Sequence, residues 1–169
     1  MKKAITDILK SIPALIWMAA IYLYSDAPAV RSTAQSITVT ERLLNLISGF
    51  WVIDEQRRIF LIGTLEPYIR KLAHMTEYGV LFFLLLLPLG SIFEGKAGKE
   101  KRFKVILITY ALCFVYACSD EFHQLFVFGR SGSFRDVLID MAGVTAAALI
   151  HLLCLAVKTA AGRKEGRNI

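Results

Sequence analysis

The sequence predicts an all-α fold: an integral membrane bundle of four transmembrane helices, with one or two amphipathic interfacial helices between the first and second spans. Three observations carry that prediction. The chain is 56% hydrophobic over 169 residues, with a mean hydropathy of +0.53, which is too apolar for an ordinary soluble domain and too short for several domains. Four apolar stretches, at about 8–25, 67–93, 103–122 and 135–157, each approach the roughly 20 residues a helix needs to cross the hydrocarbon core. Between the first two lies a segment, about 26–66, whose apolar residues recur at helical spacing without forming a fifth span. The whole chain, 1–169, reads as one transmembrane domain.

The first span follows Lys2, Lys3 and Lys10, a charge pattern shared with signal peptides. It lacks a clear small-x-small cleavage site and is read as a retained span. In the segment after it, the Ser and Thr content of 32–40 predicts a loop. Val39, Leu43, Leu46, Ile47 and Phe50 then predict an amphipathic helix in the interface, with Trp51 at headgroup depth. A second short amphipathic piece is expected near 55–65. These pieces are either a packed lid or part of a ligand site.

The second span is expected to begin near Pro67, a residue suited to a first helical turn. It carries Arg70, His74, Glu77 and Tyr78 on one stripe. The third span ends in Ser119, Asp120, Glu121, His123 and Gln124, with Asp120 and Gln124 sharing a face. GRSGS at 129–133 predicts a tight turn in which glycine takes positive φ and Ser133 caps the next helix, flanked by Arg130 and Arg135. The fourth span opens with Asp136 and Asp140, four residues apart. Gly143, Ala146 and Ala147 then give it a small-residue face for close helix packing. Cys113, Cys118 and Cys154 all fall inside spans at no metal-ligand spacing and read as small apolar residues.

The formal net charge is +6, but the basic residues surround the spans rather than gathering with aromatics into a groove. That argues for a membrane and against nucleic acid. With the amino terminus inside, cytoplasmic segments hold twelve of the twenty Lys and Arg residues, and six of the remaining eight lie in the long 26–71 stretch, where the positive-inside rule counts least. The expected topology is a multi-pass cell-membrane protein with both termini cytoplasmic. The start of span two, the end of span three and the start of span four then meet at the outer face.

Charged residues at membrane depth are costly, so their gathering there is a functional-site hypothesis. The stretches RKLAHMTEYGVL at 70–81 and YACSDEFHQLFVFGRSGSFRDVLIDMAG at 116–143, with a first span ending IYLYSDAP, resemble the VanZ-like family of bacterial membrane proteins. The resemblance covers nearly the whole chain. Its pattern matches Lys71, His74, Glu77, Tyr78, Asp120, Glu121, Gln124, Arg130, Asp136, Asp140 and Gly143, and departs at Met141 and Ala142, where relatives often carry a polar or small residue. The resemblance implies a contribution to resistance against teicoplanin-type lipoglycopeptides, without a change in the dipeptide terminus of the peptidoglycan precursor.

Three readings of the cluster stay open. A membrane-embedded enzyme would use His74, Glu77, Asp120, Glu121 and Asp140 as acid, base or ligands of a divalent cation, acting on a lipid-linked cell-envelope intermediate. A binding protein would use Arg70, Lys71, Tyr78, His123, Gln124, Arg130, Ser133, Arg135 and Asp136 to hold a lipid-linked cell-wall precursor, a membrane-lipid headgroup or the antibiotic. A purely structural network would pair the near-balanced charges with one another. Neighbouring Asp120 and Glu121 diverge by about 100° on a helix, and no HExxH, DxDx(T/V) or nucleophile setting is present.

Overall fold

The computed structural model describes residues 2–49, 53–92 and 99–165. It contains five helices among them: α1 (Lys2–Ser25), α2 (Ala29–Ser48), α3 (Glu55–Ile92), α4 (Lys99–Gln124) and α5 (Phe134–Glu165). Of these, α1, α3, α4 and α5 are long and apolar enough to cross a membrane. They form an all-α membrane bundle, with α2 packed on α3. Phe50, Trp51, Phe93, Lys96 and Arg167 lie outside the described residues, and with them the expectations for Trp51 and for the last residue of the second span.

The bundle is turned inside out relative to a soluble protein. Its outward faces are apolar, with Leu15, Ile16, Leu23, Leu72, Val115 and Leu149 all exposed, while Asp120, Glu121, Gln124 and Asp140 are buried. That distribution suits a lipid surround. The core joins Tyr78, Leu81 and Phe82 of α3 to Cys113 and Ala117 of α4 and Val137, Met141 and Val144 of α5. Two long-range bonds tie in α1: Trp17 Nε1 donates to the Glu77 carbonyl (2.9 Å) and the Tyr116 hydroxyl to the Met18 carbonyl (2.6 Å).

The most extensive helix–helix contact lies between α3 and α5. A Cβ on Gly143 would run into the Met75 carbonyl, and one on Gly79 would lie 3.3 Å from the Gly143 carbonyl. Small residues let the two backbones approach as anticipated, with one change of partner: Ala147 and Ala148 are buried, whereas Ala146 faces outward.

Two sequence expectations are corrected. The 32–40 stretch is helical rather than a loop. Its hydroxyls bond back along the helix, Ser36 to the Ser32 carbonyl and Thr40 to the Ser36 carbonyl (3.1 and 2.8 Å), so Ser and Thr satisfy themselves without unwinding it. The 55–65 piece is not separate, because it is the first part of α3, and Pro67 lies inside that helix. The helix starts early because Asp54 caps it, its Oδ1 accepting the Arg57 N–H at 2.9 Å. Pro67 removes one rung, to the carbonyl of Gly63, an exposed residue. At about 1.5 Å per residue, α3 is far longer than the hydrocarbon core.

Candidate functional site

At the end of the bundle where α3 enters, α4 stops and α5 begins, the polar residues of three helices surround a cavity of about 240 Å³. From α3 come Arg70, Lys71 and His74; from α4, Glu121 and Gln124; from α5, Asp136 and Asp140. Arg130 closes it from the α4–α5 loop and Ser32 from α2. A second cavity of about 410 Å³ lies between α2 and α3 and shares Ser32, Arg70, His74 and Arg130 with the first. Val39, Ile69 and Ala73 give it apolar wall, and Glu77 polar wall.

The backbone holding these groups is tightly specified. Gly129 turns the chain at φ +75°, a conformation that favours glycine. A Cβ on Gly132 would collide with the Glu121 carbonyl. Ser133 caps α5, its hydroxyl accepting the Arg135 N–H at 3.2 Å, while its own N–H donates to Glu121 Oε2 at 2.9 Å. The Glu121 carboxylate therefore sits at the positive end of α5. Gln124 Nε2 donates to both Asp120 Oδ2 and Glu121 Oε1, at 3.2 and 3.1 Å. The two adjacent carboxylates thus converge on one amide despite their angular divergence, because Gln124 stands four and three residues further along the helix.

Arg130 is held by α1. Its Nε donates to the Ala27 carbonyl (2.9 Å) and a terminal nitrogen to the Tyr24 carbonyl (3.3 Å), which places a cation at the negative end of that helix. Burial pulls its pKa below the ordinary arginine value, with the Asp120 charge opposing. Arg70 lies 3.6 Å from Glu66 and donates to Thr33 Oγ1 on α2 at 3.3 Å, and His74 Nδ1 lies 3.6 Å from Glu77.

The cluster is not saturated. Asp140 is 2% exposed, and its Oδ2 has no hydrogen-bond partner; the buried Tyr78 hydroxyl has none either. Ser25 of α1 faces Asp120 without reaching hydrogen-bond geometry. Among the described residues, no three or more His, Cys, Asp or Glu side chains are arranged to hold a metal ion.

The family model of VanZ/LLP1 proteins matches residues 11–155. The chain belongs to the VanZ/LLP1 family. It is also similar to the uncharacterized membrane protein YwnJ of Bacillus subtilis (strain 168), 37% identical over 79 residues. That stretch covers 47% of this chain and 46% of YwnJ, so the likeness spans about half the length of the relative. No solved structure matches. With its four apolar helices and its membrane-protein relative, this VanZ/LLP1 chain is a multi-pass membrane protein.

Within the VanZ/LLP1 bundle the sequence-derived candidates separate into three groups. Arg70, Lys71, His74, Glu121, Gln124, Arg130, Asp136 and Asp140 line the first cavity, and Glu77 lines the second. Asp120 and Tyr78 are buried behind that wall, Asp120 against Gln124 and Tyr78 within the core. His123, Ser133 and Arg135 lie apart from both linings. His123 turns to α1, its Nε2 3.2 Å from Asp26 Oδ1 and its ring 4.6 Å from that of Tyr22. Ser133 is the α5 cap, and Arg135 is exposed. Sequence reasoning missed the α2 wall of Ser32, Gln35 and Ser36, whose signal was the polar side of an amphipathic period hidden by its Ser and Thr content. It also missed the carbonyls at the end of α1, which no side-chain motif announces.

Proposed function

We propose that this VanZ/LLP1 protein uses the cavity at the outer membrane face as a binding site for the phosphorylated headgroup of a membrane lipid or lipid-linked envelope component. Through that binding it lowers susceptibility to teicoplanin-type lipoglycopeptides. The observation that carries the reading is the state of the charges. Arg70, Lys71 and Arg130 line a cavity together with Glu121, Asp136 and Asp140, yet among the described residues no ion pair within 4.0 Å joins these six to one another. A network serving only to hold helices together would be mutually paired, because an uncompensated buried charge costs several kcal/mol. Charges kept apart around a cavity are instead available to a ligand, and arginine forks suit phosphate oxygens. The outward orientation is supported by the excess of Lys and Arg in the segments assigned to the cytoplasm.

The test is equilibrium binding of a short-chain polyprenyl phosphate to the detergent-solubilised protein, wild type against Arg70→Ala/Lys71→Ala. The double variant is expected to weaken binding by about tenfold or more, the equivalent of about 1.4 kcal/mol, and to restore teicoplanin susceptibility in an expressing strain. Unchanged affinity in the double variant sinks the reading. Consumption of the phosphate ester during the assay moves it to the enzyme class. For orientation, a cysteine at Ser131, in the loop lining the cavity, should react in intact cells with a membrane-impermeant maleimide.

A further inference from the structure

We infer that the headgroup taken by this cavity is an aminoalkyl phosphate: a phosphate ester whose other end is a primary ammonium. The inference rests on the binding role proposed above and specifies its ligand. The cavity is two-signed and graded in depth. Arg70, Lys71, Arg130 and Asp136 are half-buried, whereas Glu121 and Asp140 are buried. Phosphate is thus met near the entrance, and something else must satisfy the floor.

That floor is short of donors. Asp140 lines the cavity, its unpaired Oδ2 being itself covered by protein, while Glu121 accepts only the Ser133 N–H and one Gln124 N–H. A buried acceptor left unmatched is unfavourable, and more so for a carboxylate, so a bound ligand that supplies a donor gains from it. Charge narrows the choice. Arg70, Lys71 and Arg130 face Glu121, Asp136 and Asp140 across the same cavity. The lining is therefore two-signed, with three Arg or Lys and three Asp or Glu side chains. A purely anionic headgroup would satisfy the entrance and leave the floor uncompensated. A primary ammonium brings three donors and a positive charge to it, and its hydrogen bonds to carboxylates are of the strong, charge-assisted kind.

Size agrees. A volume of about 240 Å³ accommodates a phosphate ester of a two-carbon amino alcohol. The adjoining cavity under α2, with Val39, Ile69 and Ala73 in its wall, shares Arg70 and Arg130 with the first. It offers a route for the glycerol and upper acyl chain of a lipid bearing that headgroup. A lipid and a free amino-alcohol phosphate share the chemistry and differ in their use of this second cavity.

The experiment measures binding of four compounds to the delipidated protein by native mass spectrometry and calorimetry: short-chain phosphatidylethanolamine, phosphatidylglycerol, phosphatidylcholine and soluble phosphoethanolamine. Phosphatidylethanolamine is expected to bind about tenfold tighter than either other lipid, since phosphatidylglycerol lacks the cation and phosphatidylcholine lacks N–H donors. Asp140→Asn should bring phosphatidylethanolamine down to the phosphatidylglycerol level. The wild-type ranking decides the matter even if that variant does not fold. Phosphatidylglycerol or phosphatidylcholine binding as tightly as phosphatidylethanolamine overturns the inference while the headgroup role stands, whereas no binding of any phosphate compound defeats both. Soluble phosphoethanolamine binding as tightly as the lipid supports the ligand class and assigns a free source. Much weaker binding supports the class and assigns the lipid.

Discussion

The bundle carries a polar cluster at each end, and the two are built on opposite principles. Where α1 begins and α3 ends, Lys10 Nζ donates to Ser91 Oγ at 2.8 Å and Ser91 Oγ donates to Asp7 Oδ1 at 2.6 Å. Cation, hydroxyl and carboxylate form a closed chain in which each bond continues the next. At the other end similar residue types stand around a cavity, with charges kept apart and Asp140 Oδ2 unmatched. Both clusters are costly to bury in lipid. Direct bonding marks the first as a clasp between two helices, and the want of partners marks the second as a place for something else.

The largest effect should come from the crossing that sets the walls of the open cluster. Gly143→Leu forces a side chain into the Met75 backbone and is expected to cost about 3 kcal/mol or more by overpacking, read as a lowered midpoint of thermal unfolding in detergent. Gly90→Ala is the control, since a Cβ there meets nothing within 4 Å. It should be neutral or stabilising by up to about 1 kcal/mol through lost chain entropy. A Gly143→Leu protein that melts like the wild type would mean that α3 and α5 do not cross at this point.

Next comes the clasp. Ser91→Ala leaves Lys10 and Asp7 without their shared partner, and roughly 1–3 kcal/mol of stability should be lost with headgroup binding at the far end unaltered. If binding falls in parallel with stability, the two ends are not independent and the contrast between them fails. A smaller loss, about 1 kcal/mol, is expected for Ser133→Ala, which removes the α5 cap, and only a few tenths for Ser133→Gly. Equal losses in the two variants would mean that the Ser133 hydroxyl is not the group that caps α5.

The contrast also explains what could be read from the chain directly. Four spans were legible because apolar length is a one-dimensional property. The Arg70 and His74 stripe, Gln124 and Asp140 were legible because charge at membrane depth is costly wherever the helices end up. Helix boundaries were less so: Asp54 as a cap and Pro67 inside α3 trade against each other locally, and the hydroxyls of 32–40 read as loop until their back-bonding is known. The α2 wall and the turning of His123 toward Asp26 depend on how α1 and α2 dock, which periodicity does not contain. Near balance of charge, finally, could not separate a clasp from a site, because balance is a count and saturation is a geometry.

Asp140→Asn should have the smallest effect on stability, and that smallness is its value. In the clasp every polar side chain loses a partner when its neighbour is removed. At Asp140 the Oδ2 has no partner to lose, and neutralising a buried carboxylate lowers the penalty for burying it. The variant is expected to unfold within about 0.5 kcal/mol of the wild type, or to be somewhat more stable, while losing its preference for an aminoalkyl phosphate. A loss of stability as large as that of Ser91→Ala would place Asp140 among the groups that hold the helices together, and the open cluster would then be a second clasp.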